Sequence, residues 1–209
     1  MNKVKRTLHL PLLLGLLFAG TAMATEEPPF KLVAEEAAFS VRDYPALVVA
    51  EVSVSGDHDA AANAGFKLLA GYIFGGNTPG QRIAMTAPVV QAPSEGEKIA
   101  MTAPVMQSGD AGRWTVRFVM PAGYTLETLP KPNDARVKLM ATPPSRMAVV
   151  RFSGLANAPD VERHTALLRE FIARKNFRAA GPPSLARYNP PWTLWFMRRN
   201  EVMIPVEAG

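Results

Sequence analysis

The chain contains few residues of the types that bind metal ions or act as strong nucleophiles. Its 209 residues include three histidines and no cysteine, and only His58 and His164 follow the first 24 residues. Structural zinc sites usually take four ligands, most of them cysteine or histidine. Two histidines in distant segments do not supply that set, so the sequence does not predict a zinc site of this type.

Both histidines lie in contexts that need no ligand role. His164 stands three residues from Val161 and three from Leu167, on or beside the apolar face of a predicted helix. We expect a core histidine there with its hydrogen bonds satisfied. His58 lies in the first turn of another predicted helix, where the helix dipole favours the neutral ring, and we expect it to be solvated. Methionines are interpreted first as flexible core residues and second as soft metal ligands.

The sequence also lacks the short motifs that mark common catalytic sites. Residues 75–82 (GGNTPGQR) superficially resemble a phosphate-binding loop, but Gln81 and Arg82 stand where that loop needs Lys and then Ser or Thr. Pro79 removes a backbone N–H that would contact phosphate. Neither the G-x-S-x-G elbow of many hydrolases nor the H-E-x-x-H motif of zinc proteases occurs. A Ser–His–Asp site assembled from distant segments stays open.

A doubled motif stands out instead. Residues 82–91 and 98–107 share the core I-A-M-T-A-P-V at an offset of sixteen residues. Alternation predicts that each copy is a strand with one apolar face and its threonine on the other, and that a polar turn joins the copies. Pro88 and Pro104 each remove a ladder donor, so we expect a bulge or an edge at both. The apolar residues of the two faces are Ile83, Met85, Ala87, Val89, Ile99, Met101, Ala103 and Val105.

The first 24 residues have the composition of a secretory signal peptide. Three basic residues in the first six positions precede an apolar run over residues 12–19 and an A-x-A end at residues 22–24. The run is shorter than the ~20 residues of a membrane-spanning helix, which disfavours an uncleaved anchor. We therefore expect an exported protein, periplasmic or secreted, in which residues 25–209 form a single domain.

The charge of residues 25–209 indicates no nucleic-acid partner. Without the signal, 23 basic residues fall to 20 against 18 acidic ones, and the net charge falls from +5 to +2. The basic residues are scattered, whereas a nucleic-acid surface clusters them in a patch or stripe. No later segment is apolar enough to cross a membrane.

The remaining pattern predicts two similar halves. Residues 39–56 alternate as two strands separated at Tyr44 and Pro45, and a helix follows, capped by Asp57 and ended at Gly75 and Gly76. In the second half residues 145–154 read as a strand ending in Ser-Gly, and a helix follows with Pro159 in its first turn. Further strands are predicted over residues 114–120, 185–188 and 194–206. Two helices packed on one curved antiparallel sheet would bury both apolar stripes.

These motifs together resemble the SOUL haem-binding family over essentially all of residues 25–209. The matching segments are FSVRDYPALVVAEV, GYIFGGN, KIAMTAPVMQ, RFVMPAGYTLETLPKPNDARVKL, AVVRFSG and ARYNPPWTLWFMRRNEVMIPV. The resemblance implies an α+β fold, a distorted antiparallel β-barrel or sheet with two flanking helices and an internal pseudo-twofold repeat. It also implies similarity to gyrase-inhibitor-like ligand-binding domains.

The resemblance implies haem or a similar tetrapyrrole as ligand, but one position departs from the family pattern. Members thought to ligate haem through histidine carry it where this chain has Asp43. The resemblance therefore implies weak haem binding in an apolar cleft beside the first helix, without a strong axial ligand. The cofactor-binding residues expected on this basis are Phe66, Leu69, Ile73, Met85, Met101 and Arg198. Arg82, Lys98 and Arg199 are further candidates to pair with the propionates.

Two other functions stay open beside non-enzymatic haem binding. One is a binding module for other amphiphiles, such as lipids or hydrophobic cations. The other is a hydrolase, because gyrase-inhibitor-like domains include hydrolases. A hydrolase would need a convergent acid and base in the cleft. Its candidate carboxylates are Glu36, Asp43, Glu51 and Glu201.

The signal peptide gives the first testable prediction. Cleavage is expected between Ala24 and Thr25, because the A-x-A end stands directly before that bond. Mass spectrometry of the exported protein should find Thr25 at the N-terminus. Recovery of the intact chain, beginning at Met1, from the cytoplasm would show that the head is not a signal peptide.

Overall fold

The computed structural model describes residues 26–93, 112–189 and 192–209. They form two α-helices, α1 (His58–Ile73) and α2 (Ala158–Arg174), a short 3-10 turn at Trp195–Met197, and strands. The strands are β1 (Lys31–Glu36), β2 (Phe39–Tyr44), β3 (Leu47–Ser55), β4 (Asn77–Thr78), β5 (Val89–Pro93), β6 (Arg113–Val119), β7 (Lys131–Pro132), β8 (Lys138–Thr142), β9 (Ser145–Phe152), β10 (Phe177–Ala179), β11 (Ser184–Arg187) and β12 (Asn200–Ala208). Within these ranges no helix is long and apolar enough to span a membrane.

Helix α1 begins and ends where its sequence predicts. The Asp57 side chain accepts hydrogen bonds from the backbone N–H groups of Asp59 (3.0 Å) and Ala60 (2.7 Å), which satisfies free donors of the first turn. The helix ends before Gly75, whose φ of 116° lies in the region that only glycine adopts readily.

Helix α2 is capped in the same way. Its N-cap is Asn157, whose side chain accepts from the backbone N–H of Asp160. Pro159 stands in the first turn, as predicted. Leu168, Phe171 and Ile172 form its buried face.

The main sheet has ten antiparallel strands, and its order is symmetric about its centre. The order is β1-β2-β9-β12-β11-β5-β6-β3-β8, with β10 beside β12. The central pair, β5 and β11, joins the two halves. Strands β6 and β3 of the first half follow β5 on one side, and strands β12 and β9 of the second half follow β11 on the other. This order supports the predicted pseudo-twofold repeat.

The two halves exchange their first strands. Strand β2 leads directly into β3 but pairs with β9, and β8 leads directly into β9 but pairs with β3. The expected strands on either side of Tyr44 are therefore present, and they belong to opposite ends of the sheet. The sheet path begins at β1 and ends at β8 without returning to β1. The α+β class, the antiparallel sheet and the two helices are confirmed, and the sheet is open rather than closed into a barrel.

The doubled motif differs from its prediction. The first copy is irregular from residue 82 to residue 88 and becomes a strand only at Val89. The Thr86 side chain is buried, and its hydroxyl donates a hydrogen bond to the Val119 carbonyl. The proline contributes to the delay, because Pro88 has no N–H to donate to a ladder hydrogen bond. The second copy, with Met101 and Lys98, lies outside the described residues.

The strand predicted over residues 194–206 is also only partly correct. Residues 195–197 form the 3-10 turn, and the strand begins at Asn200. The apolar side chains of residues 194–197 are exposed in a loop, whereas Val202 and Ile204 belong to the buried face of the strand.

Each helix covers a separate part of the core. Leu168, Phe171 and Ile172 of α2 pack with apolar residues of β2, β9 and β12, and Leu69, Tyr72 and Ile73 of α1 pack with β3 and β6. A third, smaller cluster lies on the sheet face away from the helices. Its buried members are Tyr44, Val149, Ala186 and Met203.

Two glycines of α1 differ in the space around them: Gly65 is tightly packed and Gly71 faces open space. A Cβ atom at Gly65 would lie 2.5 Å from Val116 Cγ2 on β6, so only glycine allows the helix to approach the sheet this closely. A Cβ atom at Gly71 would meet nothing within 4 Å. The first glycine is required by packing, whereas the second is not.

This contrast predicts opposite effects of the same substitution. Gly65→Ala should lower the free energy of unfolding by about 1–3 kcal/mol, because it overpacks the core. Gly71→Ala should raise it by about 0.4–1 kcal/mol, because alanine has the higher helix propensity and loses less backbone entropy. Urea unfolding of both variants measures the difference. Equal effects at the two positions would show that α1 does not pack on β6 as described.

Candidate functional site

An open cleft of about 750 Å³ runs along one flank of α1. Its walls are α1, the end of β3 and the loop that follows β7. The residues lining it are Ser53, Val54, Ser55, Ala64, Lys67, Leu68, Gly71, Tyr72, Gly76, Asn133, Asp134 and Arg136. The volume falls within the range of small-molecule sites, about 300–1,000 Å³.

Ala64 and Gly71 leave this space open on one flank of α1. Ala64, Leu68 and Gly71 recur at helical spacing, and Gly71 has no side chain to fill the space beside it. Glycine inside a helix lowers stability by about 1 kcal/mol relative to alanine. Packing does not require a glycine at position 71, because a Cβ atom there would meet nothing within 4 Å. Leu68 and Val54 give the cleft an apolar wall.

The rim of the cleft carries two basic groups and one acid. Arg136 binds Asp134 through two hydrogen bonds, Nε to Oδ1 at 3.0 Å and NH2 to Oδ2 at 2.6 Å. These bonds lower the pKa of the Asp134 carboxyl to about 2, so it is ionised at neutral pH. Lys67 lies on the facing helix and is exposed. The rim therefore carries a net positive charge.

The cleft offers an apolar wall and cations but few ligands for a metal. No histidine, cysteine or methionine is among its described lining residues. The Tyr72 hydroxyl is already engaged, because it donates to the Pro130 carbonyl at 2.9 Å, and burial raises its pKa to about 12. The arrangement suits an amphiphile with an apolar body and carboxylates, held without a metal–protein bond.

The residues predicted to form the binding site do not line this cleft. Leu69 and Ile73 are fully buried in the core beneath α1. Phe66 and Met85 pack against the same cluster, and the Phe66 ring lies edge-on to Phe118 with 5.5 Å between centroids. This packing accounts for all four side chains without a ligand, and their role in binding stays a prediction.

The predicted basic partners are also elsewhere. Arg198 lies in the loop between β11 and β12, where its Nε donates to the Thr193 carbonyl. Arg199 binds Glu27 and Glu201. The basic residues at the cleft, Lys67 and Arg136, were not predicted. One signal for the site was available in the sequence, a mid-helix glycine on the same flank as Ala64 and Leu68.

The structure agrees with the prediction for His164 more closely than with the prediction for His58. His164 stacks on Phe152 with 3.9 Å between centroids, and its Nδ1 lies 2.7 Å from the Asp160 carbonyl oxygen. It is hydrogen-bonded as predicted, but it is half-buried and not a core residue. His58 is not solvated: its side chain is 14% exposed, lies edge-on to Trp114, and contacts Asp59. Across the described part of the chain, no group of three His, Cys, Asp or Glu side chains is placed to hold a metal ion.

The four carboxylates considered for a hydrolase are each bound by a basic side chain. Asp43 binds Arg146 through two hydrogen bonds, Glu36 binds Arg174 and Lys175, and Glu51 binds Arg117. The hydrogen bond from Arg146 lowers the pKa of Asp43, and that from Lys175 lowers the pKa of Glu36. A general acid at neutral pH needs a raised pKa, so Asp43 and Glu36 do not suit that role.

Glu201, the fourth carboxylate, is the centre of a buried charge network. Arg42 donates to it at 2.8 and 3.2 Å, Arg199 at 2.9 and 3.2 Å, and the Tyr188 hydroxyl at 2.7 Å. Burial raises the pKa of this carboxyl, but the hydrogen bonds from Arg42, Tyr188 and Arg199 outweigh burial, and the pKa is lowered overall. The network lies on the sheet face away from the helices, beside the third apolar cluster.

Similar folds occur in several solved structures. The C-terminal domain of EcmrR has a TM-score of 0.58 at 12% identity, with 82% of this chain and 98% of that chain covered. An uncharacterised conserved protein from Listeria innocua has a TM-score of 0.57 at 16% identity, with 83% and 94% covered. A hydrolase from Listeria innocua has a TM-score of 0.55 at 14% identity, with 83% and 94% covered. At these identities the likeness extends to the fold alone.

The sequence itself identifies the family. No curated protein matches the chain significantly. The family model of the SOUL heme-binding proteins matches residues 25–97 and 89–205, which include both helices and nearly all of the sheet. The chain therefore belongs to the SOUL heme-binding protein family.

Proposed function

We propose that this protein is a non-enzymatic haem- or tetrapyrrole-binding protein that holds its ligand in the cleft beside α1. The observation that carries the proposal is the open flank of α1 at Gly71, faced by a rim with net positive charge. The family supports haem as the ligand class. The lining supports binding without a strong axial ligand.

The lining residues divide the work of binding. Leu68 and Val54 would contact the apolar macrocycle, and the open space at Gly71 would let it lie close to the helix backbone. Lys67 would pair with one propionate as a point charge. Arg136 would pair with the other only by sharing its guanidinium with Asp134, which already occupies two of its donors.

The expected affinity is that of a carrier. Burying on the order of 500 Å² of apolar ligand surface at ~25 cal/mol/Å² contributes roughly 12 kcal/mol. Association and ordering oppose this with about 4–15 kcal/mol. The difference corresponds to a Kd of about micromolar at best, which suits transient transport or scavenging of haem. Export by the predicted signal peptide would place that activity outside the cytoplasm.

A second candidate is a module for other amphiphilic anions. The observation that favours it is the lining itself: its described residues include no histidine, cysteine or methionine, and the hydroxyl of its one tyrosine, Tyr72, already donates to the Pro130 carbonyl. Iron-free ligands with the same charge and apolar area would then compete with haem. A hydrolase has less support, because each candidate carboxylate is bound by a basic side chain.

Blocking the cleft tests its location. Gly71→Leu should weaken the binding of haem and of metal-free protoporphyrin by about tenfold or more, because the new side chain fills the open space. Asn63→Leu adds the same side chain to an exposed position of α1 outside the cleft and should change both affinities by less than about threefold. Fluorescence quenching during titration measures both.

Phe66→Ala separates this site from the one predicted from sequence. If the ligand lies against Phe66, Leu69 and Ile73, Phe66→Ala should weaken binding and Gly71→Leu should not. That result would contradict the cleft site. The opposite result, with circular dichroism unchanged in both variants, supports it.

The mode of iron binding gives a separate prediction. Metal-free protoporphyrin should bind within about tenfold of haem, since a strong iron–ligand bond would separate the two by more. His58→Ala and His164→Ala should each change haem affinity by less than about threefold, because both rings are engaged elsewhere. A low-spin absorption spectrum that disappears in either histidine variant would show that the iron is ligated by that residue.

A further inference from the structure

The loop between β11 and β12 displays an unusual apolar surface, which we call the aromatic loop (residues 192–197). Five of its six side chains are large and apolar, and each is more than half exposed. The exposed fractions are Trp192 82%, Leu194 58%, Trp195 59%, Phe196 56% and Met197 63%. Single exposed apolar side chains are common on proteins, but a contiguous group marks an interaction surface.

The base of the aromatic loop is fixed to the sheet. Strand residues Arg187 and Asn200 pair at its two ends, and the Arg199 backbone N–H donates to the Asn189 side chain at 2.6 Å. Within the loop, the Met197 N–H donates to the Leu194 carbonyl and closes the 3-10 turn. The apolar side chains are therefore presented from a fixed base.

The charges in the loop's own sequence are of one sign, although Glu27 and Glu201 from outside residues 188–200 bind Arg199. From residue 188 to residue 200 the sequence contains Arg198 and Arg199 and no acidic residue. The first acid after the loop, Glu201, is buried and bound by arginines. Arg198 lies at the loop base, with its Nε on the Thr193 carbonyl. An apolar tip above a basic base has the polarity of a bilayer interface with anionic headgroups.

A sixth exposed apolar side chain lies in a neighbouring loop that is bonded to the base of the aromatic loop. The Asn200 side chain donates to the Gly154 carbonyl at 3.0 Å, which holds the loop between β9 and α2 against the base of the aromatic loop. Leu155 follows Gly154 and is 58% exposed. Arg151, exposed at the end of β9, adds a further basic group near this edge.

We propose that the aromatic loop inserts into the interface of an anionic lipid bilayer and docks the protein on membranes. Tryptophan is enriched at the membrane–water interface, because its ring is apolar and its N–H remains hydrated. A bilayer interface accepts exposed apolar side chains without the matching groove that a protein partner would have to supply. The basic groups at its base would then lie at the depth of the lipid phosphates.

Vesicle binding tests this directly. The protein from Thr25 onward is mixed with vesicles of phosphatidylcholine containing a quarter phosphatidylglycerol, and with vesicles of phosphatidylcholine alone. Co-sedimentation and tryptophan emission are measured. We expect binding to the anionic vesicles with a blue shift of emission, and weaker binding to the neutral ones.

Substitutions then assign the binding to the loop. The triple variant Trp192→Ser, Trp195→Ser and Phe196→Ser should lower the vesicle partition coefficient by about twentyfold or more. Leu167→Ser, which removes an exposed apolar side chain from α2, should leave it unchanged. Arg198→Gln should lower binding to the anionic vesicles about fivefold, in line with about 1 kcal/mol per basic residue near a charged surface.

Several results would overturn the proposal. No vesicle binding by the wild-type protein, or equal binding by the triple variant, would do so. Equal binding to neutral and anionic vesicles would show that the arginines at the foot of the loop do not contribute to binding. If the wild-type protein does not bind vesicles but is a dimer in sedimentation equilibrium, and the triple variant is a monomer, the loop contacts a second copy instead. Loss of haem affinity alone in the triple variant would assign it to the ligand site.

Discussion

The exchange of first strands between the two halves is the constraint on which the rest of the structure depends. Strand β2 pairs with β9 and β8 pairs with β3, so neither half can complete its part of the sheet alone. The central pair of β5 and β11 then holds the halves in fixed register. Both helices lie on one face of this single sheet, and the position of α1 against β3 and β6 follows from it. The cleft is the flank that this packing leaves open.

The two faces of the sheet serve different purposes. On the face away from the helices, Glu201 is fully buried among Arg42, Arg199 and Tyr188. Buried charges are tolerated only when they are paired and hydrogen-bonded. Glu27 binds Arg199 and Phe30 lies over Arg42 at 4.6 Å, so the chain ahead of β1 covers this network. The cleft beside α1 lies on the other, helix-bearing face.

Local signals in the sequence predicted more of the fold than of the site. The cap at Asp57, the proline in the first turn of α2, the alternating strands and the matching halves are short-range patterns, and the structure has them. The strand exchange was not predictable, because no local pattern records which distant strand pairs with β2. The site prediction used the apolar face of α1 that includes Leu69 and Ile73, and apolar periodicity marks the core before it marks a ligand. The open flank at Gly71 is defined by a missing side chain, which a search for binding groups overlooks.

The central claim is that the ligand lies on the flank of α1, and amide chemical shifts test it most directly. Metal-free protoporphyrin is added to isotope-labelled protein, and two-dimensional NMR spectra are recorded through the titration. We predict the largest shifts at Lys67, Leu68 and Gly71 on the helix and at Asn133 and Arg136 on the facing loop. Shifts confined to β2 and β12 around Glu201, or to residues 192–197, with those amides unmoved, would contradict it.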